Sequence, residues 1–152
     1  LVRKEIMPNK LIMAVACNTV AATVDFNAIR KDFPQVEFIS PLGYTINKVN
    51  NLPGGSKIGI ICTKATKMSR SYERPLIEAG YKVSVKATPI LAVLAEMLYS
   101  ELRFLGAVSN HLDKTAREIV RVSLGSLVKE DRIDYLVLAC THYDYLKHYE
   151  LV

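Results

Sequence analysis

Two cysteines are the residues best placed to do chemistry. Each ends a short apolar run and is followed at once by small polar residues. Leu11 to Ala16 runs into Cys17-Asn18-Thr19, and Tyr135 to Ala139 runs into Cys140-Thr141-His142-Tyr143. Runs of this length read as buried strands, and the abrupt change reads as a turn into a helix. In open parallel sheets the carboxyl ends of strands line the ligand crevice, with the next helix aiming its N-terminus there. Helix dipole and free N–H groups favour a thiolate at that point and also hold carboxylates. The expectation is therefore a cysteine of lowered pKa beside an anion cradle. Asn18, Thr19, Thr141 and His142 add hydrogen-bonding groups for a small polar ligand, and His142 can trade a proton with a thiol near neutral pH. One such cysteine is commonly just a small hydrophobe. Two in matched settings argue for chemistry.

The elements that must position these sulfurs alternate between strand and helix, which predicts an α/β fold with parallel strands covered on both faces. Leu11–Ala16 is expected as a buried strand. A helix follows from Asn18 to Phe33, with Val20, Val24 and Ala28 on one stripe, and stops at Pro34. Val36–Ile39 is a short strand. Pro41, Gly43 and the cluster from Asn50 to Gly55 mark loops, the cluster also suiting a handover between lobes. Lys57–Ile61 is the next strand and meets a third cysteine, Cys62, read as a core position. A helix then runs to about Ala79, closed by Gly80. Tyr81–Ala87 is a strand, and Pro89 opens an apolar helix to about Leu105. Asp113 is expected to cap a last long helix with Ala116, Ile119, Val120 and Leu127 facing inward.

Composition narrows the class. A chain of 152 residues, half apolar and 23% charged, is one ordinary globular domain or two small ones. The formal charge of +5 comes without clustered Lys/Arg and interleaved aromatics, which argues against nucleic acid. Three cysteines are not a disulfide framework and suit a reducing cytoplasm. No run is long enough to cross a membrane. The lipoprotein-like stretch ending at Cys17 is too short, with Glu5 and Pro8 in its basic region. Cys140 and His142 are too close for the usual zinc spacing, so no metal is expected. Gly54-Gly55-Ser56-Lys57 precedes its strand, the wrong order for a phosphate-binding loop. His111 and His148 read as surface residues. The chain starts without Met inside what looks like a helix end, Leu1 to Lys10, and reads as an interior piece of a longer protein.

At the two cysteine motifs the chain resembles the cofactor-independent aspartate/glutamate racemases, most closely the glutamate racemases. Ala16-Cys17-Asn18-Thr19 matches the family's first signature and Cys140-Thr141-His142-Tyr143 its second. Between them Thr63-Lys64-Ala65-Thr66, Ser69 and Tyr72 follow the family order, as do Pro89 and Glu96. Aspartate racemases typically carry Glu where His142 stands. The chain departs from the family in lacking its upstream Asp-Ser and Tyr-Gly, and in having Asp144-Tyr145 where Pro-Leu is usual.

The resemblance implies two αβα sandwich lobes with the active site between them, residues 1–39 and 131–152 in the first and 40–130 in the second. It implies interconversion of L- and D-glutamate by two opposed bases, supplying D-glutamate for peptidoglycan. Cys17 would serve the D-enantiomer's α-proton and Cys140 the L-enantiomer's, with His142 assisting Cys140 and Glu96 near the crevice. Asn18, Thr19, Thr63, Thr66 and Thr141 would hold the substrate. Neither pyridoxal phosphate nor metal would take part, and a homodimer is compatible with it. By their own chemistry Thr63 and Thr66 suit helix capping as well as binding, and Glu96 suits a solvated helix face. Two alternatives stay open: racemisation of aspartate or another acid, and an inactive remnant.

Overall fold

The computed structural model describes residues 10–147 and 149. In chain order they form β1 (Leu11–Ala14), α1 (Asn18–Thr23), α2 (Phe26–Asp32), β2 (Val36–Ile39), α3 (Pro41–Val49), β3 (Lys57–Cys62), α4 (Lys64–Ser69) and α5 (Glu73–Glu78). β4 (Lys82–Ala87), α6 (Pro89–Leu105), α7 (Asn110–Lys129), β5 (Tyr135–Ala139) and a 3-10 helix at Thr141–Leu146 complete them. The Leu1–Lys10 helix end (but for Lys10) and His148 fall outside the described residues.

β3 is apolar on both faces, and it takes the position where both faces and both edges are covered. β4 and β5 pair with it in parallel, one on each side. Ile58, Ile60, Ile61 and Cys62 are at most 1% exposed. One face is covered by α6 and α7, whose Leu91, Leu94, Leu98, Ala116, Val120 and Leu127 pack on Ile61 and Tyr143. The other face is covered by Val49 of α3, Tyr72 and Leu76. This is the α/β architecture with parallel strands that the alternation predicts. Among the described residues no helix is long and apolar enough to cross a membrane.

A second sheet has only two strands, β1 and β2, parallel, with Leu11 opposite Val36 and Ala14 opposite Ile39. β1 was expected to be buried, but Ile12 and Met13 are about half exposed. Its apolar pattern states what the strand can bury; among the described residues it has a neighbour on one edge only.

The lobe boundary at residue 131 does not follow the strand pairing. β5, placed with residues 1–39 by the sequence reading, lies beside β3 with Ile58 opposite Tyr135 and Cys62 opposite Ala139. Asp134 starts that register: its carboxylate accepts from the Lys57 N–H at 2.8 Å, and its own N–H donates to the Lys57 carbonyl, also at 2.8 Å. An apolar strand carries no label saying which sheet it joins; a neighbouring polar anchor decides it.

Four boundaries also differ. The expected helix from Asn18 to Phe33 breaks at extended Val24, because Asp25 accepts from the Asn27 and Ala28 N–H groups and starts α2 afresh. The stretch read as a loop at Pro41 and Gly43 is α3, with Ser40 Oγ accepting from the Gly43 N–H and Pro41 in the first turn. The helix expected to reach Ala79 divides into α4 and α5 at Arg70, whose φ is +55°. α7 is capped by Ser109, one turn ahead of Asp113.

Candidate active site

Both cysteines sit where the chain leaves a strand. Cys17 is extended and caps α1, and Cys140 is extended and caps the 3-10 helix after β5. Cys17 is exposed, while Cys140 is 8% exposed. The two thiols lie within electrostatic reach, so a charge on Cys17 opposes ionisation of Cys140. The expected lowering of the cysteine pKa does not hold at Cys140. Burial pushes its thiol up, and the N–H groups of His142 and Tyr143, which face the sulfur, only partly offset this. The element that follows is one short 3-10 helix, which supplies little aligned dipole.

His142 stands beside Cys140, Nδ1 3.9 Å from the sulfur, and its Nε2 is 2.8 Å from Glu96 Oε1. Glu96 comes from α6, so a carboxylate, an imidazole and a thiol form one line at the mouth of the site. A cavity of about 220 Å³ opens beside them, lined by Ala95, Glu96, Tyr99, His142 and Tyr145. Thr141 is exposed next to Cys140. Tyr143, fully buried, fixes this turn from beneath: its hydroxyl is 2.9 Å from both Thr88 Oγ1 and the Thr88 carbonyl.

On the Cys17 side three hydroxyls meet. Thr19 Oγ1 is 3.0 Å from Thr63 Oγ1, Thr63 Oγ1 is 3.0 Å from Thr66 Oγ1, and Thr66 Oγ1 is 3.4 Å from Thr19 Oγ1. Thr63 also caps α4 by accepting from the Thr66 N–H at 3.2 Å, so one residue both caps the helix and joins the hydroxyl cluster. Thr66 is buried and Thr19 and Thr63 half-buried. Asn18 is 6% exposed, and its Oδ1 accepts from the buried Tyr72 hydroxyl. Ser71 Oγ donates to the Ala22 carbonyl at 2.7 Å, tying the turn before α5 to α1.

Cys62 is fully buried, in line with its reading as a core position, and its thiol is pushed up to about 11 by loss of water. His111 is exposed. The sequence reading gave no role to Ser71, Tyr72 or Thr88. Their contribution is a hydrogen bond across the fold, which only tertiary packing creates; the pairing of Ser69 and Tyr72 with Thr63 and Thr66 was the one available signal.

No family model matches the chain. It is 34% identical over 139 residues to a glutamate racemase of Aquifex pyrophilus, covering 90% of this chain and 48% of that protein. Its fold superposes on a glutamate racemase isoform of Bacillus anthracis with a TM-score of 0.71 and 32% identity, covering 93% of this chain and 50% of that one. A Francisella tularensis glutamate racemase solved with D-glutamate gives a TM-score of 0.65 at 20% identity over 93% of this chain and 47% of its own, a likeness of fold. The chain spans about half the length of the curated relatives it matches.

Proposed function

Because this chain belongs to the glutamate racemase family, we propose that the protein interconverts L- and D-glutamate by proton transfer at Cα between Cys17 and Cys140. What supports the reading is the Cys140 thiol beside the His142–Glu96 pair, together with the cluster of three hydroxyls and an amide that begins next to Cys17 in the chain.

A two-base reaction needs one thiolate and one thiol at once. Mutual repulsion favours that singly ionised state over the doubly ionised one, and burial of Cys140 favours its protonated form. With D-glutamate, the Cys17 thiolate takes the α-hydrogen and its C–H electron pair stays on Cα. The Cys140 thiol then gives its proton to the opposite face, leaving a thiol at 17 and a thiolate at 140. The L-enantiomer runs the sequence backwards. His142, 3.9 Å from the Cys140 sulfur, stabilises the thiolate end, and Glu96 holds the imidazole. Asn18 and Thr141 supply donors for the carboxylates and for charge developing on the carbanion, and Thr19, Thr63 and Thr66 do so once a ligand opens their mutual hydrogen bonds. In the cell the product would serve peptidoglycan synthesis in the cytoplasm.

The test is solvent deuterium entering Cα of D- and L-glutamate without added cofactor. Cys17→Ser and Cys140→Ser are each expected to lower exchange by at least ~10²-fold, the usual scale of positioned proton transfer. Wild-type exchange in both variants would remove the two-base assignment. Faster exchange of aspartate than of glutamate would move the substrate to the shorter diacid.

A further inference from the structure

Asn18 follows Cys17 directly and is the most buried polar side chain next to either sulfur. Its amide has an oxygen that accepts and a nitrogen that donates two hydrogens, and only one end can face a ligand. A ligand carboxylate needs the nitrogen. Among the described residues, Asn18 Oδ1 accepts from the Tyr72 hydroxyl, and no acceptor meets Asn18 Nδ2.

We propose that Tyr72 is a positioning residue that holds the Asn18 amide with its nitrogen toward the substrate carboxylate. The inference rests on the racemase reading for its ligand, and on packing for its geometry. Tyr72 is 2% exposed and stands just before α5, after the Arg70–Ser71 turn that follows α4. That turn is built to place it. Arg70 adopts φ +55°, Ser69 Oγ donates to the Thr66 carbonyl at 2.7 Å, and Ser71 Oγ reaches the Ala22 carbonyl on α1.

Burial pushes the Tyr72 hydroxyl up to about 12, so it stays a donor at any working pH. The bond from Tyr72 to Asn18 therefore has one direction, and it leaves the amide nitrogen as the end that faces a ligand.

The experiment is Tyr72→Phe, which keeps the ring and removes the hydroxyl. An amide free to turn loses part of its binding to ground and transition states alike, so KM for both enantiomers should rise about tenfold with kcat within about twofold. Adding Tyr72→Phe to Asn18→Ala should cost nothing further, because the residues act as one unit. An unchanged KM, a fall confined to kcat, or losses that multiply in the double variant would overturn the inference. A wild type that exchanges no α-hydrogen would sink the racemase reading by itself. The amide orientation is then read in the free protein from the Asn18 side-chain nitrogen resonance. Nδ2 hydrogens in ready exchange with water support it, and protected ones overturn it.

Discussion

Cys62 lies wholly out of water at the end of β3, and its thiol ionises only near about 11, against an ordinary value of 9.0. In the unfolded chain the same thiol loses its proton first. Between those two values the folded state therefore holds more protons than the unfolded one, and stability falls as pH rises. The buried hydroxyls of Tyr72 and Tyr143, raised from 10.0 to about 12, act in the same direction at higher pH. Urea midpoints should thus decline from about pH 9 to about pH 11. Cys62→Ala should lessen the early part of that decline, to which the raised Cys140 thiol also contributes, while leaving the later one. A midpoint that holds level across this window would mean that the thiol is not desolvated.

Among elements, the Ile133 side chain, just before β5, lies so close over β3 that a side chain at Gly59 has no room. A Cβ there would stand 2.5 Å from Ile133 Cδ1 and 3.0 Å from Ile133 Cγ2. Gly59→Ala should cost about 1–3 kcal/mol by overpacking, read from urea unfolding. Stability equal to wild type would mean that Ile133 rotates away freely. The strands around this point were legible from the sequence because they are short apolar runs between turn residues. Helix limits were less so. Apolar spacing continues across Val24-Asp25 and across Arg70, so the period gives no sign that the chain stops and recaps there. α3 was missed because Ser40-Pro41 reads equally as a turn and as a helix start, and only the Gly43 N–H meeting Ser40 Oγ decides.

At the scale of the whole molecule, the two sheets are unequally protected. β3 has a partner on each edge and helices over each face, whereas β1 and β2 have only each other among the described residues. Amides of Ile58–Cys62 should open only on global unfolding, and those of Ile12–Ala14 many-fold sooner, as hydrogen exchange would record. Equal protection would indicate that further chain or a partner covers the smaller sheet. Motif order was enough to single out Thr19, Thr63 and Thr66, whose hydroxyls meet. It could not assign β5 to a sheet, since an anchoring bond such as Asp134 to the Lys57 N–H joins residues far apart in sequence.

The three threonine oxygens on α1 and at the start of α4 carry one further consequence. Three hydroxyls have three protons, and three short lines join them. When the ring is closed each proton is spent on a neighbour, and none is left for a guest. An incoming anion that captures one proton must open the circuit, and the other two hydroxyls then rotate to new partners. The trio consequently responds as a single switchable unit, and deleting any one oxygen changes what both survivors can offer.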